Sequence, residues 1–176
     1  MAENVARYSL FARGIHWLMA LLVFAMVPAG IVMIRIGGGP LQNWLFDFHR
    51  SVGVLLMVLA LIRLAYRVTH PPAPLPAEIP LWQRMAAKAT HVFIYGFLII
   101  NPFVGWVATS AYGATIPIFG LFTMPAIVAK DRALADQLFS IHMVLGILFT
   151  AAVVLHVAAA LYHGFVRRDG VLQRML

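Results

Sequence analysis

The sequence predicts an all-α protein: a four-helix transmembrane bundle with both termini in the cytoplasm. Three observations carry that reading. Of the 176 residues, 62% are hydrophobic and only 11% are charged, and the mean hydropathy is +0.90. A soluble domain of this size needs more polar surface. Four apolar runs are each long enough, at about 1.5 Å per helical residue, to cross or nearly cross a hydrocarbon layer about 30 Å thick. Finally, the basic residues behind the formal net charge of +7 sit at the ends of those runs. That placement reads as membrane topology and not as a nucleic-acid footprint.

The first run, residues 15–34, follows Arg7 and Arg13. A cleaved signal peptide has an apolar core of about 7–15 residues, so this longer run is expected to be a retained span. Pro28 predicts a kink within it, and Gly37-Gly38-Gly39-Pro40 predicts a turn after it. The second span is residues 44–66, with His49 near its start and Arg63 and Arg67 near its end. Five prolines in the eleven residues 70–80 read as an extended connector, followed by a short interfacial helix over Trp82–Lys88.

The third span is residues 91–107, interrupted by Asn101-Pro102, which predicts a kink with an unpaired carbonyl. Ala108–Gln137 reads as the longest loop, apolar enough to lie on the membrane or cap the bundle. The fourth span is residues 138–166, followed by Arg167, Arg168 and Arg174. Residues 1–176 are read as one domain. Four spans put nine of the thirteen basic residues on the side of the termini, which is therefore cytoplasmic. The predicted location is a multi-pass position in the cell inner membrane.

The absence of cysteine excludes disulfides, thiolate-held iron–sulfur clusters and covalent Cys-x-x-Cys-His haem attachment. Chemistry therefore falls to the seven histidines. His142 and His156 are 14 residues apart, on one stripe of one helix and separated by roughly 21 Å. Chain direction sorts four histidines by depth: His49 with His142 in the outer half, His16 with His156 in the inner half. His49 and His142 share the pattern His-x-x-x-Gly-[Val/Ile]-Leu. The glycine, four residues on, lies on the same helical face and leaves room for a flat ligand, although small residues also promote plain helix packing.

A single membrane histidine is often a hydrogen-bonded structural residue or an interfacial anchor. Four at matched depths point to two bis-histidine sites, and two imidazoles suit the axial positions of haem iron better than the ligand set of zinc. His91 opens the third span and competes with His16 for the inner site. His163, one heptad below His156, reads either as an interfacial anchor or as a quinone contact. His70 reads as an exposed connector residue.

These residues carry a family resemblance over essentially the full length. They are Ile15-His16-Trp17-Leu18, His49 with Gly53, the proline-rich connector, Thr90-His91-Val92-Phe93-Ile94-Tyr95, Gly120-Leu121-Phe122-Thr123-Met124-Pro125 and the His142/His156/His163 series. The chain resembles the bacterial cytochrome b561 family, and within it the superoxide:ubiquinone oxidoreductase type. The resemblance implies two haem b groups with His16, His49, His142 and His156 as axial ligands, and it also has a counterpart of His91.

It further implies an oxidoreductase that takes electrons from superoxide at the outer face and reduces ubiquinone. Arg13 and Arg50 become candidate propionate or substrate contacts, and His163 and Arg167 a candidate quinone site. Two other readings stand beside this one. The first is a cytochrome b subunit fed by a dehydrogenase or hydrogenase partner. The second is a histidine-lined metal or haem transporter, against which the two-site geometry argues.

Overall fold

The computed structural model describes residues 7–76 and 78–176. Four long helices dominate: α1 (Leu10–Met33), α2 (Pro40–Thr69), α3 (Leu81–Tyr112) and α4 (Arg132–Leu161). All four are long and apolar enough to cross a membrane. α1 packs on α2 and α3 on α4, and the two hairpins meet chiefly through α2 and α3. Each helix starts or stops on local chemistry. The Ser9 hydroxyl accepts from the Ala12 N–H, Pro40 supplies a preset first turn for α2, and Asp131 accepts from the Leu134 N–H. Gly113, at φ 83° in the left-handed region, closes α3.

The buried core is a short plug made by Met19 and Val23 of α1, Val52, Leu56 and Ala60 of α2, Leu98 of α3 and Phe149 of α4. In sequence each of these lies between an outer and an inner position of its own helix, so the plug separates two levels of the bundle. The outer surface is as apolar as the core, with Leu21, Phe24, Ile147 and Leu155 each more than half exposed. In a bundle this apolar, such residues face lipid tails while the helices satisfy their own backbone.

The helices outrun the predicted spans at most ends, because backbone hydrogen bonding continues past the apolar belt into the interfaces. α1 and α3 run on through Pro28 and Pro102. Trp82–Lys88 is not a separate helix but the first turns of α3. The predicted loop at Ala108–Gln137 shrinks in the same way, with α3 reaching Tyr112 and α4 starting at Arg132.

Between them lies a small hairpin, β1 (Ile116–Ile118) paired antiparallel with β2 (Phe122–Met124). Its turn places Phe119 at φ 50° and Gly120 at φ 72°, the paired positive values of a primed turn. The hairpin is fastened to α2 beside His49: Ser51 donates to the Pro117 carbonyl at 2.9 Å and accepts from the Phe119 N–H at 3.0 Å, and Arg50 donates to the Thr115 carbonyl at 3.2 Å. It caps the outer end of the bundle.

The inner end is tied by Arg174, which is buried. Its guanidinium donates to the carbonyls of Ala73 and Pro74 in the connector and lies over the Tyr8 ring. The Trp17 indole donates to the Met175 carbonyl at 2.8 Å.

Candidate functional site

Two histidine pairs face each other across the bundle, one at each level. At the outer level the His49 and His142 ring centroids are 6.0 Å apart. At the inner level His16 and His156 are 6.1 Å apart. His91 approaches the same His156 ring at 5.4 Å, so the inner level holds three histidines. His142 and His156 come from α4, which therefore contributes one ring to each level.

The outer rings sit in matching sockets. His142 Nδ1–H donates to the Asn101 carbonyl at 3.0 Å, and His49 Nδ1–H donates more loosely to the Met26 carbonyl at 3.4 Å. A carbonyl can only accept, so these bonds put the proton on Nδ1 and leave the Nε2 lone pair available to a metal. Four residues beyond each carbonyl stands a glycine. A Cβ on Gly30 would meet the His49 ring at 2.9 Å, and one on Gly105 would meet the His142 ring at 3.0 Å. Only glycine lets these rings lie against the neighbouring helix. Gly53 and Gly146, singled out from the sequence, face open space apart from Asn101 beside Gly146, which leaves room beside the histidines.

At the inner level His91 Nδ1–H donates to the Ala87 carbonyl one turn back at 2.7 Å. His16 differs: its Nδ1 is buried without a partner, because the matching carbonyl, that of Ala12, accepts from Arg63. The Asn101 side-chain oxygen, on the residue whose carbonyl holds His142, is likewise buried and unpartnered.

The arginines and the remaining histidines divide. Arg50 does not turn toward the rings; besides Thr115 it pairs with Asp47 at 3.5 Å. Arg13 stands half-buried three residues before His16. His163 and Arg167 are brought together, both on one oxygen of Asp169, at 2.6 and 3.0 Å. They lie on a π-helical segment, Tyr162–Arg167, that continues α4. Arg167 also reaches the Gln83 side chain at 3.3 Å.

Burial pushes the Asp169 carboxyl up, but hydrogen bonds from His163, the Val171 N–H and Arg167 outweigh it and hold the group below its ordinary 3.8. His70 stacks on Tyr66 at 4.1 Å and borders an inner-face cavity of about 190 Å³ with Arg7, Arg63 and Arg67. Gly30, Gly105 and Asp169 have no place in the sequence reading, and Arg63 figures there only as a topological charge. For the first two, the signal available was a glycine four residues beyond the carbonyl that faces an outer histidine.

The donor set fits a haem held between two imidazoles. Two metal–nitrogen bonds of about 2 Å each, plus half a ring on either side, span about 6 Å between centroids, as both pairs do. The family model for prokaryotic cytochrome b561 matches residues 7–176. The chain belongs to the prokaryotic cytochrome b561 family.

Cytochrome b561 homolog 2 of Escherichia coli K12 is 34% identical over 97% of this chain and 91% of its own length. The probable superoxide oxidase CybB of Yersinia pestis is 31% identical over 97% and 96%. Cytochrome b561 homolog 1 of E. coli K12 is 24% identical, covering 92% of each chain. As a cytochrome b561, the chain is a multi-pass inner-membrane electron-transfer protein, and membership in the family implies haem b.

Proposed function

We propose that this cytochrome b561 holds two haem b groups, one between His49 and His142 and one between His16 and His156. The observation that carries the reading is the equal ring spacing of the two pairs at opposite ends of the core plug. For the inner level, His16 is favoured over His91 by a spacing to His156 that matches the outer pair, 6.1 Å against 6.0 Å. His91, whose ring lies 5.4 Å from that of His156, then flanks the site. The two imidazoles at each level would hold such a haem group, and the chemistry it would supply is single-electron transfer.

The chain's own residues supply the rest. Gly30 and Gly105 admit the outer rings, and the backbone carbonyls of Met26 and Asn101 orient them. The apolar plug keeps water from the space between the levels. Our reading of the activity is oxidation of superoxide at the outer face with reduction of ubiquinone at the inner face; what supports the first half is the name of the Yersinia relative, a probable superoxide oxidase.

Two superoxide anions give two electrons and leave as dioxygen, while one ubiquinone takes up those electrons and two protons. Among the outer cations, Arg50 and Arg132 are paired with Asp47 and Asp136. Steering of the anion therefore falls chiefly to Arg35 and Lys130. At the inner face, His163 and Arg167 on Asp169 provide a proton-bearing, hydrogen-bonding group for the quinone.

The test is to feed the purified protein superoxide and follow a soluble ubiquinone analogue. Analogue reduction that exceeds the protein-free rate and stops when superoxide is removed supports the assignment. Haem reduction by superoxide with no reduction of the analogue would refute it.

A further inference from the structure

The two helical hairpins repeat one another at the site. An offset of 75 residues carries α1 onto α3, matching Ala12 with Ala87, His16 with His91, Val23 with Leu98, Met26 with Asn101 and Gly30 with Gly105. An offset of 93 carries α2 onto α4, matching His49 with His142, Gly53 with Gly146, Leu56 with Phe149 and Arg63 with His156.

Matched residues do the same work. The carbonyls of Met26 and Asn101 each hold an outer histidine, Gly30 and Gly105 each admit its ring, and Val23, Leu98, Leu56 and Phe149 share the plug. At the inner level the repeat offers four ring-facing positions. Three are histidine and the fourth is Arg63.

Arg63 breaks the repeat in a specific way. In the second hairpin, His91 donates to its own carbonyl one turn back. In the first, Arg63 occupies that carbonyl, at Ala12, and His16 is left without it. The guanidinium is half-buried and reaches across from α2 to the α1 carbonyl one turn before His16. Among the described residues, no carboxylate lies within ion-pair distance of it. The outer cation nearest a histidine in sequence, Arg50, is by contrast paired with Asp47. The inner level thus carries a positive charge with no carboxylate partner among the described residues, whereas the outer cation beside His49 has one.

We propose that Arg63 makes the two haem sites unequal. As a permanent cation in the place of a fourth histidine, it favours the added electron at the inner site and so biases electron flow inward. This rests on the two-haem reading above. Arg63 acts through the field at the site and not by touching a reactant, so it is a positioning residue.

Potentiometric titration of the purified protein, followed by haem absorbance, tests it, with His49→Ala identifying the outer component by its loss. Arg63→Gln should make the inner component harder to reduce, lowering its reduced-to-oxidised ratio at fixed potential by about tenfold, the effect of a unit charge roughly 10 Å away within protein. The outer component should stay in place, and Arg63→Lys should keep the inner one near its native value.

Arg63→His, the residue the repeat has at this position, should act like Arg63→Gln and serves if the glutamine variant loses the inner haem. An inner component unmoved by loss of the charge, equal shifts of both components, or loss of the inner haem from both neutral variants would overturn the proposal. A native protein that shows fewer than two haem components would instead defeat the two-haem reading, whatever Arg63 does.

Discussion

A ring-to-ring separation near 6 Å leaves no room for a side chain between two imidazoles, yet it is too wide for direct hydrogen bonding between them. The glycines make that separation attainable. Replacing Gly30 by valine would drive a side chain into the His49 ring, which a Cβ alone would meet at 2.9 Å. Overpacking of this kind costs about 1–3 kcal/mol. The expected outcome is loss of one of the two haems, read as the haem-to-protein ratio, with the inner haem retained; an unchanged ratio would show that the socket is not needed.

Asp169 offers a second test at this scale. Because its folded carboxyl lies below the ordinary 3.8, its ionised form stabilises the protein above that value. The contribution fades as pH falls through the lowered folded value. The Tm difference between the native chain and Asp169→Asn should therefore be present at pH 7 and close in acid below 3.8. A difference that persists or grows in acid would contradict the assignment.

Among the elements, α4 does most to fix the site, since its pitch alone separates His142 from His156. That much was legible in the sequence, because a spacing of 14 residues is a property of any α-helix. The sorting of His16 and His49 by depth was legible for a different reason, the direction in which each span crosses the membrane. The sockets were not, since which glycine faces which ring depends on how helices pack across a bundle. The hairpin at Ile116–Met124 is not legible in the sequence, because strands of three residues carry too little alternation to be recognised.

The π-helical turn at Tyr162–Arg167 also escaped. The wider turn carries His163, which meets Asp169 at 2.6 Å; such turns are frequent at functional sites. Replacing His163 by alanine should leave both haems bound and slow reduction of a ubiquinone analogue. Unaltered quinone kinetics would return His163 to the role of interfacial anchor. Arg174, read from the sequence only as a cytoplasmic charge, ties three chain segments together. Arg174→Ala should lower Tm, with a loss of about 1.5–3 kcal/mol for a charged hydrogen bond, and an unchanged Tm would argue against that tie.

On the scale of the whole molecule, two similar hairpins with parallel orientation build two levels of imidazoles around an apolar plug. The single charged exception lies on the cytoplasmic side. On the proposed reading, such a bundle has the layout of a transmembrane electron relay: histidine pairs at two depths, an apolar plug between them, and protonatable groups at the inner face. Every part of that account depends on both histidine pairs being occupied. The most direct measurement is the haem-to-protein ratio of the purified chain, taken from its reduced-minus-oxidised spectrum and a protein assay. The account predicts two b-type haems per chain; one haem per chain, or none, would contradict it.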